Sequence, residues 1–116
     1  MAETIPPYTD MRQLKWSQTE KAIARKAFEL ALDKRLDAVI QETKDRAARI
    51  KQSSQLWVLE SYLTRNREDI DRQFDYRYSV LPLVFGNLIR KDLLTEDDLR
   101  GLGEDKLALI RAYASL

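Results

Sequence analysis

The sequence SSQLWVLESYLTRNREDIDRQFDYRYSVL, residues 53–81, contains neither glycine nor proline and repeats its apolar side chains at a helical spacing. On a helix with about 3.6 residues per turn, five of them fall within about 60° of one another. They are Leu56, Leu59, Leu63, Ile70 and Phe74. Such a narrow stripe is typical of a helix that packs on another helix. The stretch therefore predicts a long helix within an all-α fold.

Helical patterns also cover most of the remaining chain, because the 116 residues contain only three glycines and three prolines. The capping and breaking residues predict where the other helices begin and end. We expect a first helix over about residues 17–50, begun by a capping box of Ser17 and Glu20, and a second helix begun by Ser53 or Ser54. A core helix is predicted over residues 79–94, with Pro82 in its first turn or at a kink. A short turn begun by Thr95 and ended by Gly101 should follow, and then a last helix over about residues 104–114.

The length of the chain predicts one domain, since 116 residues are enough for one hydrophobic core and few for two. We assign this single all-α domain to residues 16–116. Residues 1–15, which include Pro6 and Pro7, are predicted to form an extended or disordered lead-in. The expected architecture is a long helical hairpin with a small C-terminal helical head.

The first helix changes its apolar face halfway along its length. One face carries Ile23, Ala27, Leu30 and Ala31, and nearly the opposite face carries Leu32, Leu36, Val39, Thr43, Ala47 and Ile50. One short neighbour cannot bury both halves, so we infer two packing partners, one of which could be a second subunit. We predict a homodimer built from the first helix and the helix that contains Leu56 and Phe74.

The composition excludes most catalytic chemistry. The chain has no cysteine and no histidine, which removes thiolate sites, the usual zinc ligands and the Ser-His-Asp arrangement. The carboxylates of Glu68, Asp69, Asp71 and Asp75 could in principle bind a metal, but their spacing spreads them around a helix. A charged, solvated surface is the favoured interpretation, and we expect no enzymatic activity and no cofactor.

Charge and hydropathy exclude two further classes of partner. The 20 basic residues balance 19 acidic ones, and a formal net charge of +1 gives no general attraction to nucleic acid or to an anionic membrane. The aromatic residues in FDYRYS, residues 74–79, could stack on bases, but no basic patch or RNA-binding motif accompanies them. No stretch approaches the roughly 18 apolar residues that cross a bilayer. We expect a soluble, cytoplasmic protein.

Two side chains do not fit a simple packing stripe. Trp57 lies beside the stripe among Ser61, Thr64 and Glu68, where it is either at the edge of the monomer core or an interface anchor. Arg67 lies within the stripe itself.

For Arg67, one interpretation is a solvated gap in the stripe. The other is a desolvated ion pair with Glu60 or Asp71 that fixes how two helices dock. Under the second interpretation, an Arg67→Leu substitution would leave an acidic side chain unpaired.

The same region carries a longer motif, LW-x-L-x(3)-L-x(3)-R-x(2)-ID-x(3)-D-x-RYS, from Leu56 to Ser79. The motif continues into VLPLVF and, near the end of the chain, DLRGLGEDKL. This pattern resembles the fluorescence recovery protein family of cyanobacteria over most of the chain from Trp16 onward. The resemblance implies an all-α, dimeric, non-enzymatic regulator. Its relatives bind the photoactivated orange carotenoid protein, speed its return to the orange form and help to detach it from the phycobilisome.

The resemblance also implies which residues matter. In the family, the dimer region carries a Trp, an Asp and an Arg that are regarded as important for activity. Trp57 and Arg67 match two of them. The family's His-Asp pair is replaced by Glu60 and Ser61 in this chain. Two functions stay open, a regulator of the orange carotenoid protein and a related dimeric protein with another partner in an organism without phycobilisomes. The expected dimer or partner interface comprises Leu56, Trp57, Glu60, Ser61, Leu63, Arg67 and Asp71.

Overall fold

The computed structural model describes residues 10–116, which form four α-helices and no β-strand. The helices are α1 (Gln18–Ala48), α2 (Ser53–Gln73), α3 (Leu81–Arg90) and α4 (Glu104–Ala114), with short 3-10 turns at Met11–Gln13 and Glu96–Leu99. The all-α prediction is confirmed. Residues 1–9 of the predicted lead-in lie outside the described range. Helices α1 and α2 form a long hairpin, and α3 and α4 pack together against the first half of α1, so the molecule extends over 54 × 27 × 25 Å.

The start of α1 is the predicted capping box. The hydroxyl of Ser17 accepts a hydrogen bond from the backbone N–H of Glu20 at 3.1 Å, and the Glu20 carboxylate accepts one from the backbone N–H of Ser17 at 2.9 Å. The two residues therefore satisfy backbone N–H groups that the helix itself leaves without partners.

The start of α2 corrects the prediction that Ser53 or Ser54 caps this helix. The N-cap residue is Gln52, and the side-chain oxygen of Gln55 accepts hydrogen bonds from the backbone N–H groups of Gln52 at 2.9 Å and Lys51 at 2.6 Å. A glutamine at the third helical position can reach back in this way, so the serines are not needed for the cap.

Helix α3 is shorter than the predicted segment 79–94, although Pro82 lies in its first turn as expected. It ends where Asp92 adopts a left-handed conformation with φ of 60°. The backbone N–H of Leu93 then donates to the carbonyl of Leu88 at 3.0 Å, and that of Asp92 to the carbonyl of Ile89 at 3.0 Å. This hydrogen-bond pattern is a Schellman motif, which closes the helix three residues after Leu88.

The remaining boundaries agree with the sequence. Thr95 caps the 3-10 turn, Gly101 follows it with a positive φ of 103°, and α4 spans the predicted residues. The fully or nearly buried side chains form one core shared by the first half of α1, α3, α4 and the loops between them, a unit that we call the head. They include Ala24, Ala27, Phe28, Ala31, Leu81, Phe85, Leu88, Leu99 and Ile110.

The head brings α3 and α4 into very close contact at Gly86. A β-carbon at this position would lie 2.5 Å from the β-carbon of Tyr113, which is closer than any real contact. Only glycine lets the two helix backbones approach this far.

A buried ion pair connects the two ends of the head. The ammonium group of Lys106 on α4 lies 3.0 Å from the carboxylate of Glu20 on α1, and it also donates to the backbone carbonyl of Lys15. The same Glu20 oxygen, Oε2, accepts a 2.8 Å hydrogen bond from the backbone N–H of Gly103. Burial raises the pKa of Glu20, but the hydrogen bonds from Ser17, Gly103 and Lys106 outweigh this and lower it to about 2.

Aromatic side chains join the head to the end of α2. Phe74, Tyr76 and Tyr78 follow α2 directly, and the ring of Phe28 contacts those of Phe74 and Tyr76 edge to face, with centroids 5.5 and 4.9 Å apart. Tyr78 contacts Trp16, with centroids 5.4 Å apart. The aromatic residues of FDYRYS therefore serve packing, which is the ordinary role of such rings in a core.

Candidate interaction surface

The second half of α1, residues 32–48, and the whole of α2 form a hairpin that we call the arm. Within the described range, every fully buried side chain belongs to the head, and the arm has none. Large apolar side chains of the arm are instead open to solvent, including Leu36, Ile40, Leu56, Trp57, Val58 and Leu63. A pair of helices cannot cover its own apolar surface, so the arm leaves an apolar face uncovered within one chain.

The contact between α1 and α2 is more polar than the stripe in the sequence predicts. The guanidinium group of Arg35 donates to the side-chain oxygen of Asn66 at 2.7 Å, and the Asn66 amide donates to the backbone carbonyl of Tyr62 at 2.7 Å. Arg46 stacks on the ring of Tyr62, 4.1 Å from its centroid. These residues carry no apolar periodicity, which is why the sequence did not indicate them.

The predicted stripe of α2 therefore divides between two environments. Leu59 and Ile70 are half-buried next to α1, whereas Leu56 and Leu63 are 47% and 40% exposed. The stripe is not one seam against α1. Leu63, from the exposed part, lines a groove beside the hairpin together with the half-buried Ile70.

This groove runs between α1 and α2 and has a volume of about 500 Å³. Its walls are largely apolar. The lining residues are Leu32, Leu36, Val39, Leu63, Asn66, Arg67, Ile70 and Asp71. The groove thus brings together three of the predicted interface residues, Leu63, Arg67 and Asp71, with the face of the first helix that the sequence left without a partner.

Arg67 is exposed in the wall of the groove. Among residues 10–116 its side chain makes no hydrogen bond or ion pair, so neither Glu60 nor Asp71 neutralises it within one chain. A desolvated pair would need a second molecule over the groove. The solvated interpretation describes the single chain.

Trp57, Glu60 and Ser61 lie on α2 outside the groove, where all three are exposed. The side chain of Trp57 is 62% exposed, so it contributes little to the core of a single chain. Its position favours an interface anchor, because a large exposed aromatic side chain gains most when a partner covers it.

Metal binding and membrane insertion find no support in residues 10–116. No cluster of three or more potential metal-binding side chains occurs there. None of the helices in this range is both long and apolar enough to span a membrane.

Comparison with known proteins decides the family. The sequence model of the photoprotection regulator fluorescence recovery protein matches residues 16–114. The chain belongs to the fluorescence recovery protein family. This confirms the resemblance drawn from the motif between Leu56 and Ser79 and makes the chain a member of a family of photoprotection regulators.

Relatives agree with this assignment along nearly their whole length. The fluorescence recovery protein of Synechocystis sp. PCC 6803 is 35% identical over 101 residues, which cover 87% of this chain and 93% of that protein. The solved structure of the Fremyella diplosiphon fluorescence recovery protein is similar with a TM-score of 0.83 and 37% identity, and that of the Synechocystis protein with 0.83 and 34%. Each alignment covers 88% of this chain and 100% of the solved one. The fold of the family is therefore the fold of this chain.

Proposed function

We propose that this chain acts in the cytoplasm as a homodimeric, non-enzymatic regulator that accelerates the return of the photoactivated orange carotenoid protein to its orange form and promotes its release from the phycobilisome. The observation that carries this proposal is the family match over residues 16–114, which extends through both the arm and the head. The absence of cysteine and histidine fits a protein that works by binding.

The exposed surface of the arm supports the dimer. Leu36, Leu56 and Leu63 stay accessible beside a groove of about 500 Å³, and a second copy would offer the same apolar surface in return. In a twofold dimer one patch meets its own copy, so a single groove suffices for both subunits. We propose that the groove is the centre of the dimer interface.

The dimer then gives Trp57 and Arg67 defined roles. A second arm over the groove would remove water from Arg67, and the charge would set the register of the two arms through a pair with Glu60 or Asp71 of either copy. Trp57, outside the groove, supplies apolar contact area at the rim.

The regulator accelerates the reversion of the photoactivated orange carotenoid protein if it binds the transition state of this reversion more tightly than the activated form.

A second candidate is a dimeric protein of this family with a different partner. Glu60 and Ser61 in place of the family's His-Asp pair favour it. The carboxylate moves by one residue, which turns it by about 100° around α2 and changes the surface beside Trp57.

The deciding measurement is the reversion rate of photoactivated orange carotenoid protein mixed with the purified chain. We expect wild type to accelerate reversion, Trp57→Ala to do so less, and Ser61→Asp, which restores the family's carboxylate, to do so more. Light scattering at micromolar concentration reports the dimer in the same samples.

The outcomes separate the two candidates. A dimer that leaves the reversion rate unchanged in all three forms would overturn the first candidate and support the second. A compact monomer would overturn the dimer itself. Wild-type acceleration equal to that of the Synechocystis protein, with no response to Ser61→Asp, would show that the changed pair is neutral.

A further inference from the structure

The free end of the arm, which we call the tip, has an unbalanced charge. Residues 44–59 contain four basic side chains and one acidic one, although the whole chain has a net charge of only +1. The basic residues are Lys44, Arg46, Arg49 and Lys51. The tip therefore carries a local positive field that the even overall composition hides.

Most of these charges have no partner in the part of the chain that the structure describes. Lys44, Arg49 and Lys51 make no ion pair or side-chain hydrogen bond there, and only Arg46 is paired, with Glu42 at 3.0 Å. In the head, the basic side chains of Arg100, Arg111 and Lys106 each contact a carboxylate, whereas others, such as that of Lys91, make no ion pair within residues 10–116. The tip holds cations that a partner could neutralise.

A small pocket lies among these cations. It has a volume of about 170 Å³ and is lined by Arg46, Arg49, Ile50, Gln55, Val58 and Leu59. Val58 is 56% exposed at its edge. Two guanidinium groups thus border an apolar floor, an arrangement that suits a ligand with a carboxylate beside an apolar side chain.

The tip pocket and the groove lie on different sides of the hairpin. The residues that line them do not overlap. Val58 precedes Leu63 by five residues, which places the two side chains about 140° apart around α2. A second copy bound in the groove would leave the tip pocket open.

We propose that the tip pocket binds an acidic segment of a partner protein, with a carboxylate on the unpaired Arg49 and a neighbouring apolar side chain between Ile50 and Val58. The concave shape favours a peptide over a lipid surface, because a membrane-binding element presents a broad apolar face, whereas Val58 is the one exposed apolar side chain in the lining of this pocket. This inference is independent of the proposed dimer and of the carotenoid protein.

The test is binding of a dye-labelled peptide of repeating Glu-Glu-Leu, measured by fluorescence anisotropy. We expect the peptide to bind, the matching Gln-Gln-Leu peptide not to bind, and Arg49→Glu/Lys51→Glu to weaken binding at least about tenfold. Val58→Ser should weaken it about threefold, because apolar surface at the edge of the pocket is lost. Binding should also weaken with added salt.

The matched control is Arg90→Glu/Lys91→Glu, which makes the same change of charge at the C-terminal end of α3 and should alter binding less than about twofold. Equal losses in both double variants would overturn the pocket and indicate a general charge effect. Absence of peptide binding would overturn the proposal. If the tip then bound phosphatidylglycerol vesicles, its partner would be a lipid surface and not a peptide. Light scattering of each variant shows whether the dimer persists. Absence of peptide binding in a protein that is still a dimer would therefore overturn the tip pocket without overturning the proposed function.

Discussion

The head and the arm are built from the same kind of helix but are stabilised differently. Helix α1 belongs to both: its first half buries Ala24, Ala27 and Ala31 under the head, whereas from residue 32 onward the described chain has no buried side chain until the head resumes beyond α2. The arm does not lack apolar residues. It lacks a third element to cover them, since a fold needs packed layers on each apolar face.

This comparison indicates that the head provides the stability of the single chain and that the arm provides a surface for association. The head can reach its stability within one chain, because α3, α4 and the loops close around a common core. The arm keeps its apolar side chains available for association. Substitutions in the head should therefore act on unfolding, and substitutions in the arm on association.

The largest effect on stability should follow from removing a large side chain from the core of the head. Phe85 is fully buried, and Phe85→Ala should lower the free energy of unfolding by about 4 kcal/mol through lost burial and a cavity. The change can be followed by the fluorescence of Trp16 in a Trp57→Phe background, since the chain has only these two tryptophans. The control, Val58→Ala in the arm, should cost less than about 1 kcal/mol. Equal costs would contradict the division between head and arm.

In the arm, the expected effect is on dimer dissociation. If the dimer desolvates Arg67 beside an acidic side chain, Arg67→Leu should weaken association by about 3 kcal/mol, which is more than about a hundredfold in the dissociation constant. Analytical ultracentrifugation measures this. Arg65→Leu is the control, because Arg65 is exposed two residues away and about 160° from Arg67 around α2. An unchanged dissociation constant for Arg67→Leu would establish the solvated interpretation.

The buried ion pair of the head should make unfolding depend on acid pH. The pKa of Glu20 is about 2 in the fold and ordinarily 4.5, so its contribution is present above about pH 5 and is lost as the pH falls toward 2. We expect the free energy of unfolding to fall by about 3 kcal/mol across this interval from Glu20.

Denaturant titrations at several pH values test this contribution. Glu20→Gln cannot titrate, so its unfolding free energy should change less with pH than that of wild type, although Asp98, whose pKa is also lowered, leaves a remainder. The exposed pair of Asp69 and Arg72 in the arm is the comparison, and Asp69→Asn should leave the pH profile close to that of wild type, because solvent screens an exposed ion pair. Identical profiles for wild type and Glu20→Gln would contradict the assignment.

The smallest effect concerns one substitution made in both regions. Asp92 has a positive φ at the end of α3, so Asp92→Gly should stabilise the head by about 0.7 kcal/mol. Asp37→Gly, in the middle of α1 within the arm, should destabilise by about 0.3 kcal/mol, because glycine is the poorer helix former. Thermal unfolding measures both. The same sign for the two variants would contradict the role of the left-handed residue.

Local signals in the sequence determined the helices of this protein. The capping boxes of Ser17 with Glu20 and Thr95 with Asp98, Pro82 in a first turn and Gly101 after a short turn act within a few residues, so the chain predicts them without tertiary information. The motif from Leu56 to Ser79 is also sufficient by itself to indicate the family. The change of face in α1 correctly indicated two different environments along one helix.

Only the tertiary structure decided how the helices face each other. Periodicity records which side chains are apolar, so it grouped Leu59 with Leu63, although Leu59 is half-buried next to α1 and Leu63 is exposed in the groove. The Glu20–Lys106 pair spans 86 positions, a separation at which no local pattern operates. The positions of the charges at the tip were readable in the sequence, but the absence of partners for Arg49 and Lys51 in residues 10–116 depends on what the folded chain brings near them. Local chemistry specifies an element, whereas burial and pairing depend on neighbours that only the fold supplies.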